Sequence, residues 1–323
     1  MCMLIFTENE IRQCVQMNES VIKVVESAFN DLVTKDLQMP PTSRVDVPNN
    51  NGEFVIKTAF IPGHEMFALK VSSHFFQNYS MGMSSTGGVM MLMNALNGKP
   101  EAFFYDNGYL TDLRTGAAGA LAAKYLANEN IKEVGVIGTG TQARAQLQAL
   151  KLVRDFKTVF VYGRTWQRIS EFKHEIETSL QVEVKIMETP KDVVKSAELL
   201  ITATPSQEPI VLSEWIRPGM HITAVGADAT YKQELDPEIL KKADRIACDK
   251  LSQCVEHGEI GATMKHNINL DKSKIIELGH IFGNEENKRQ SKQEITIADL
   301  TGTGAQDTKI ALFAYKILTE KSE

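Results

Sequence analysis

The sequence predicts an α/β protein in which a parallel-sheet unit interrupts an α+β unit built on an antiparallel sheet. Three observations predict it. Segments of strand period crowd residues 43–106, and short apolar strands alternate with helical stretches from about residue 112. A glycine-rich turn joins the first of those later strands to a helix. The length agrees, because 323 residues suggest about two domains at roughly 100–200 residues each.

The elements follow in order. Thr7 and Glu10 are spaced as a capping box that opens a short helix. Asn18 can cap a second helix, in which Val21, Val25, Ala28, Phe29 and Leu32 recur at helical spacing and face a core. Residues 43–47, 54–60, 67–75, 88–94 and 100–106 then read as strands, and Asn97-Gly98 is a hairpin signal between the last two. An Ala-rich helix is expected over 115–126, a buried strand over 134–137 and a helix over about 141–153. Further strands are expected at 159–162, 199–204, 222–225 and 245–248. The segment 307–318 is an amphipathic helix expected to return to the first domain. The domains are therefore drawn as 1–114 with 305–323, and 115–304.

Composition narrows the function. Lys and Arg number 35 against 41 Asp and Glu, a net charge of −6, which argues against a general nucleic-acid binder. The start has no basic region and too short an apolar run for a signal peptide, and no stretch approaches the ~18 apolar residues of a membrane span. Cys2, Cys14, Cys248 and Cys254 form no C-x-x-C pair, so reduced thiols and a cytoplasmic location are expected. The sequons at Asn18 and Asn78 then carry no meaning. The seven histidines show no zinc-enzyme spacing, and no metal is expected.

The glycine turn carries the first functional signal. Gly138-Thr139-Gly140-Thr141-Gln142-Ala143 has the G-x-G-x-x-A pattern after a strand and at the start of a helix. Gly138 permits the tight turn, Gly140 lets a pyrophosphate approach, and Ala143 allows close helix–strand packing. The helix beginning at Thr141 and Gln142 offers its free N–H groups to phosphate. The bland alternative is a plain packing loop. The following strand ends at Gly163-Arg164-Thr165, where an NAD-binding Rossmann unit would place a carboxylate. No carboxylate stands there. Arg164, Thr165 and Arg168 suit a 2′-phosphate instead, so the reading is NAD(P), leaning to NADP(H). An exposed arginine pair is the alternative.

Four cations carry the second signal. Lys70 shares a strand face with Ala68 and Ser72, and Lys57 sits between Val55 and Ala59 in the same way. Arg44 lies in the first strand, and Arg114 opens the Ala-rich helix. Singly, each is more often a solvated residue, and spacing alone does not make them converge.

Together these segments resemble the ornithine cyclodeaminase/mu-crystallin family. The resemblance runs nearly end to end, through Met39–Arg44, Ala68–Lys70, Tyr109–Ala118, Val134–Ala143, Ala224–Asp228, Lys232–Asp236, Gly258–Ile260 and Asp299–Asp307. It implies a Rossmann dinucleotide-binding domain inserted in a substrate and dimerisation domain, and a homodimer. It implies that Arg44, Lys70 and Arg114 hold a substrate α-carboxylate, and that Asp228 works as acid/base with Lys70 in the catalytic set. Thr115, Thr204, Val225 and Gly302 join the implied cofactor contacts, while Asp307 is expected to cap the last helix. Family cyclodeaminases carry a glutamate where Lys57 stands, and a lysine there favours a second carboxylate. Residues 54–63, 67–78 and 106–114 look closer to the ectoine-utilisation and iminosuccinate-reductase branch. The expected activity is NAD(P)H-dependent reduction of a small anionic imino acid, such as iminosuccinate to aspartate. The rivals are a deaminating cyclisation of ornithine and a crystallin-like ligand-binding protein.

Overall fold

The computed structural model describes residues 3–321, so Cys2 lies outside the described residues. The chain forms two units, Met1–Arg114 with Thr303–Glu323, and Thr115–Gly302. The first begins with β1 (Leu4–Thr7), α1 (Glu8–Cys14) and α2 (Glu19–Thr34). Thr7 and Glu10 form the capping box of α1, and the Asn18 side chain accepts from Ser20 N and Val21 N at the start of α2. Then come β2 (Ser43–Val47), β3 (Gly52–Ala59), β4 (Met66–Phe75), β5 (Thr86–Asn94) and β6 (Pro100–Tyr105). Gly98, at φ +74°, turns β5 into β6.

This six-stranded sheet has the order β1-β6-β5-β4-β3-β2. It is mixed rather than purely antiparallel, because β1 pairs with β6 in parallel. Four residues that run straight into a capped helix are too short to show a strand period, so sequence reading missed β1. The next helix, α3 (Tyr109–Leu126), starts six residues before its expected beginning at Thr115. Asp106 Oδ2 accepts from Leu110 N at 2.8 Å and anchors its first turn. Arg114 therefore lies in the second turn of α3 and does not open it.

The second unit runs through β7 (Glu133–Ile137), α4 (Thr141–Lys151), β8 (Thr158–Tyr162), α5 (Trp166–Leu180), β9 (Glu183–Ile186), α6 (Pro190–Ser196) and β10 (Leu199–Thr202). It continues with β11 (His221–Ala224), α7 (Pro237–Lys242), β12 (Arg245–Cys248), α8 (Leu251–His257), α9 (Glu259–Lys265), β13 (Ile275–Glu277) and β14 (Thr296–Asp299). All pairings in its sheet are parallel, in the order β13-β12-β14-β11-β10-β7-β8-β9. Strands β9, β13 and β14 were not expected from sequence. Thr296–Asp299 is only four residues long and wholly buried, so it has no polar–apolar alternation, yet it sits between β11 and β12. Two apolar layers hold the sheet, one around Ile222, Ile246 and Ile297, the other around Val134, Val159 and Phe172. No helix among the described residues is long and apolar enough to cross a membrane.

The chain ends in α10 (Gly304–Glu320), which belongs to the first unit. Thr303 caps it, with Gln306 completing a capping box. The helix packs against α2 and across β3 and β4. Thr308 Oγ1 accepts from Ala68 N at 3.0 Å and donates to Ala59 O at 2.8 Å. Gly304 presses against Thr58 O so closely that a Cβ would clash there. This placement puts the first turns of α10 over the middle of the sheet.

Candidate active site

The second unit holds a cleft of about 350 Å³ at the carboxyl ends of β7, β8 and β10. Gly138 turns at φ +112°, and an added Cβ would run into Ala203 O, so only glycine fits. Gly140 caps α4 and has open space beyond its Cα, as an approaching pyrophosphate requires. Arg144 Nη1 donates to Thr139 O at 2.5 Å and to Gly140 O at 3.2 Å, fixing the turn from below. These features fit a dinucleotide phosphate at the head of α4. The cleft wall carries Gly163, Arg164, Thr165 and Arg168 and no Asp or Glu. The other wall is the segment after β10, with Thr204, Pro205, Ser206 and Ile210. Of that wall, sequence reading had named Thr204 alone.

The remaining expected cofactor residues stand elsewhere in the same unit. Thr141, Gln142 and Ala143 form the first turn of α4 and do not line the cleft, and Ala143 is buried in the apolar layer. Val225 N donates to Thr202 O at 3.0 Å just past β11. Thr115 O accepts from Gln146 Nε2 at 2.8 Å. Gly302, at φ +75°, donates its N–H to Asp249 and accepts from Gln253 Nε2.

The first unit assembles the cations. Directly paired residues point to one sheet face, so the pairings Lys57–Lys70, Lys70–Met90, Met90–Phe104 and Phe104–Phe6 make one continuous inner row. Lys70 is 2% exposed and Lys57 9%. Asp307, in the first turn of α10, meets this row. Its Oδ2 lies 2.9 Å from Lys70 Nζ, and its Oδ1 accepts from Arg114 Nε at 2.9 Å. Asp307 thus acts as a buried counter-ion, and the helix-capping role expected for it belongs to Thr303. Sequence offered one signal for it: a carboxylate one turn inside a helix that already has its own cap.

Burial pulls the Lys70 ammonium down to about 7, opposed by Asp307 and reinforced by Arg114 and Lys57. Burial alone would raise the Asp307 carboxyl, but Lys70 and Arg114 more than offset it and hold it below the usual range. Arg44 pairs with Val55 and so shares the inner face with Lys57. Its guanidinium is engaged by Asp46 and by the buried Glu53, whose other oxygen lies 3.0 Å from His74 Nδ1. Arg44 therefore stands on the cation face without sharing Asp307.

Asp228 sits in the loop after β11, half-buried, with Oδ1 2.6 Å from Lys232 Nζ. Sequence reading had not singled out that lysine. Among the described residues, no group of three or more acidic, His or Cys side chains is placed to hold a metal ion.

A glycine-turn cleft on a parallel sheet in the second unit, in a chain whose first unit buries clustered cations, marks the class of dinucleotide-dependent dehydrogenases and reductases. The chain belongs to the ornithine cyclodeaminase/mu-crystallin family, whose profile matches residues 2–322. It is 39% identical to the uncharacterized cyclodeaminase y4tK of Sinorhizobium fredii, covering 99% of this chain and 97% of that one. Its fold is similar to Thermococcus litoralis Delta(1)-pyrroline-2-carboxylate reductase in complex with NADH and L-proline, at TM-score 0.93 and 30% identity over 99% of this chain and 98% of the other. It is also similar to an archaeal alanine dehydrogenase dimer with bound NAD, at TM-score 0.88 and 34% identity over 99% and 97%.

Proposed function

We propose that this protein uses NAD(P)H, with NADPH preferred, to reduce a small imino acid with an anionic side chain, as in iminosuccinate to aspartate. The cross-strand pair Lys57–Lys70 carries the reading. Lys57, Lys70 and Arg114 stand against one Asp307, which leaves more positive charge than one α-carboxylate needs, and a second substrate carboxylate accounts for the excess. The NADPH preference rests on Arg164 and Arg168 in a cleft wall without a carboxylate.

Gly138, Gly140 and the head of α4 would hold the dinucleotide phosphates, and Arg164, Thr165 and Arg168 the 2′-phosphate. When bound, the cofactor supplies the hydride for the imine carbon. Lys70 and Arg114 fix the α-carboxylate, with Arg44 on the same sheet face, and so orient that carbon. Asp307 keeps the cations at fixed positions before substrate arrives. Lys57 receives the side-chain carboxylate. Asp228, steadied by Lys232, moves the proton on the substrate nitrogen.

The same reading makes the protein a homodimer. The outer face of the six-stranded sheet exposes Ile5, Val45, Phe54 and Ile56, an apolar surface suited to a second copy. A reducing, cytoplasmic setting suits the buried thiols of Cys248 and Cys254.

The test follows reduced-nicotinamide absorbance with NADPH or NADH and oxaloacetate plus ammonia, pyruvate plus ammonia, or pyrroline-2-carboxylate. Ornithine with NAD is assayed in parallel for ammonia. Stoichiometric cofactor oxidation, fastest with oxaloacetate plus ammonia, is expected. Ammonia from ornithine without net cofactor change would overturn the reading in favour of a cyclodeaminase.

A further inference from the structure

Glu234 was not among the expected site residues. It is fully buried in the second unit, and its carboxylate accepts four hydrogen bonds. Oε1 takes Thr204 N and Thr204 Oγ1, both at 2.7 Å. Oε2 takes Thr202 Oγ1 at 2.8 Å and Gly226 N at 2.9 Å. One carboxylate therefore ties the segment leaving β10 to the segment leaving β11.

The main chain around Glu234 repeats the tie. Its carbonyl accepts from Ile210 N at 2.8 Å, and Gln233 N donates to Ser206 O at 2.9 Å. Thr204, Ser206 and Ile210 all line the dinucleotide cleft. At the other end, the contact with Gly226 N closes residues 226–234 into a loop that contains Asp228 and Lys232. A Cβ at Gly226 would strike both Thr204 O and the Glu234 carboxylate, so the approach needs glycine. Glu234 is itself held from behind, since its N–H donates to Glu259 Oε1 at 2.7 Å. Glu259 N and Ile260 N in turn donate to Asp299 at 3.1 and 2.9 Å.

A carboxylate buried this deeply is costly unless every acceptor site is used. An apolar side chain would fill the same space more cheaply, but it could not bind two amides and two hydroxyls from two separate loops. We propose that Glu234 is a positioning residue that couples the two halves of the reaction: it fixes the cleft wall that receives the dinucleotide and, through Gly226, the loop that presents Asp228. This inference rests on the proposed dinucleotide-dependent function.

The test uses the full-length protein and its variants Glu234→Gln and Thr202→Val. The amide of Glu234→Gln keeps the shape but turns a donor toward the donors of one loop. Thr202→Val removes one buried donor without touching the cleft lining. NADPH affinity is read by calorimetry, kcat at saturating cofactor, and folding by melting temperature. Glu234→Gln is expected to weaken NADPH binding about tenfold (about 1.4 kcal/mol) and to lower kcat by a similar factor, because both loops loosen. Thr202→Val moves both in the same direction by about threefold, as loss of one of four donors predicts. Unchanged affinity and kcat in the folded variants, even with a lower melting temperature, would overturn the proposal. If Glu234→Gln does not fold, Thr202→Val decides by the same criterion. Wild-type protein that binds no dinucleotide would sink the functional reading itself, whereas wild-type binding with unaltered variants sinks only the role of Glu234.

Discussion

Lys70 Nζ and Asp307 Oδ2 lie 2.9 Å apart, one from the middle of a strand and the other from the first turn of the final helix, and both are buried. Arg114 shares the same carboxylate, so removing it strands two cations while removing Lys70 leaves Asp307 still paired. Asp307→Asn is therefore expected to cost about 3 kcal/mol in denaturant unfolding, and Lys70→Met clearly less. Equal losses would show that Arg114 does not depend on Asp307.

In the proposed function, Lys57 sets the preference for a second carboxylate. Lys57→Ala should lower kcat/KM for oxaloacetate plus ammonia about tenfold or more and leave pyruvate plus ammonia nearly unchanged, because only the dicarboxylate loses a charged partner. An unaltered ratio of the two would remove the basis for an anionic side chain.

In the proposed function, Arg164 separates the cofactors. Arg164→Ala should raise KM for NADPH by roughly 10–100-fold, the worth of one charged hydrogen bond, and leave NADH within about threefold. Parallel loss of both cofactors would assign Arg164 to the shared part of the dinucleotide.

Asp228→Asn should lower kcat by roughly 10²–10⁴-fold with little change in KM for the cofactor, as expected for loss of a proton-transfer group. A kcat within a factor of about two of wild type would exclude Asp228 from the reaction.

Asp106 makes a pH signature. Burial lifts its carboxyl from the ordinary 3.8 to about 6, against the opposing hydrogen bond from Leu110 N. Between those values the folded chain holds a proton that the unfolded chain has released, so stability falls as pH rises through that window. Asp106→Asn should flatten this decline, by on the order of 3 kcal/mol across the window. A wild-type and variant difference that stays constant from about pH 4 to 6 would contradict the buried, raised carboxyl.

Much of the local structure was legible because it is written in neighbouring residues. The capping box of Thr7 and Glu10, the Asn18 cap, the hairpin at Gly98 and the glycine turn at Gly138 each depend on a few consecutive positions, and each appears in the structure. The strands that sequence missed are those without a local signal. Leu4–Thr7 and Thr296–Asp299 are four residues each, and their partners lie far along the chain.

The same division runs through the candidate site. By itself the sequence determined the family, the glycine turn with its arginine-bearing strand end, and the identity of the cations, because motif chemistry needs only residue type and spacing. Tertiary structure alone decided that Lys57 and Lys70 are cross-strand partners, that Asp307 is the counter-ion of Lys70 and Arg114 instead of a cap, and that Glu234 binds two loops at once. Those facts depend on strand register and on where the last helix lands. A buried charge is tolerable only beside its opposite, and sequence spacing cannot say which residue, nearly 240 positions away, will be there.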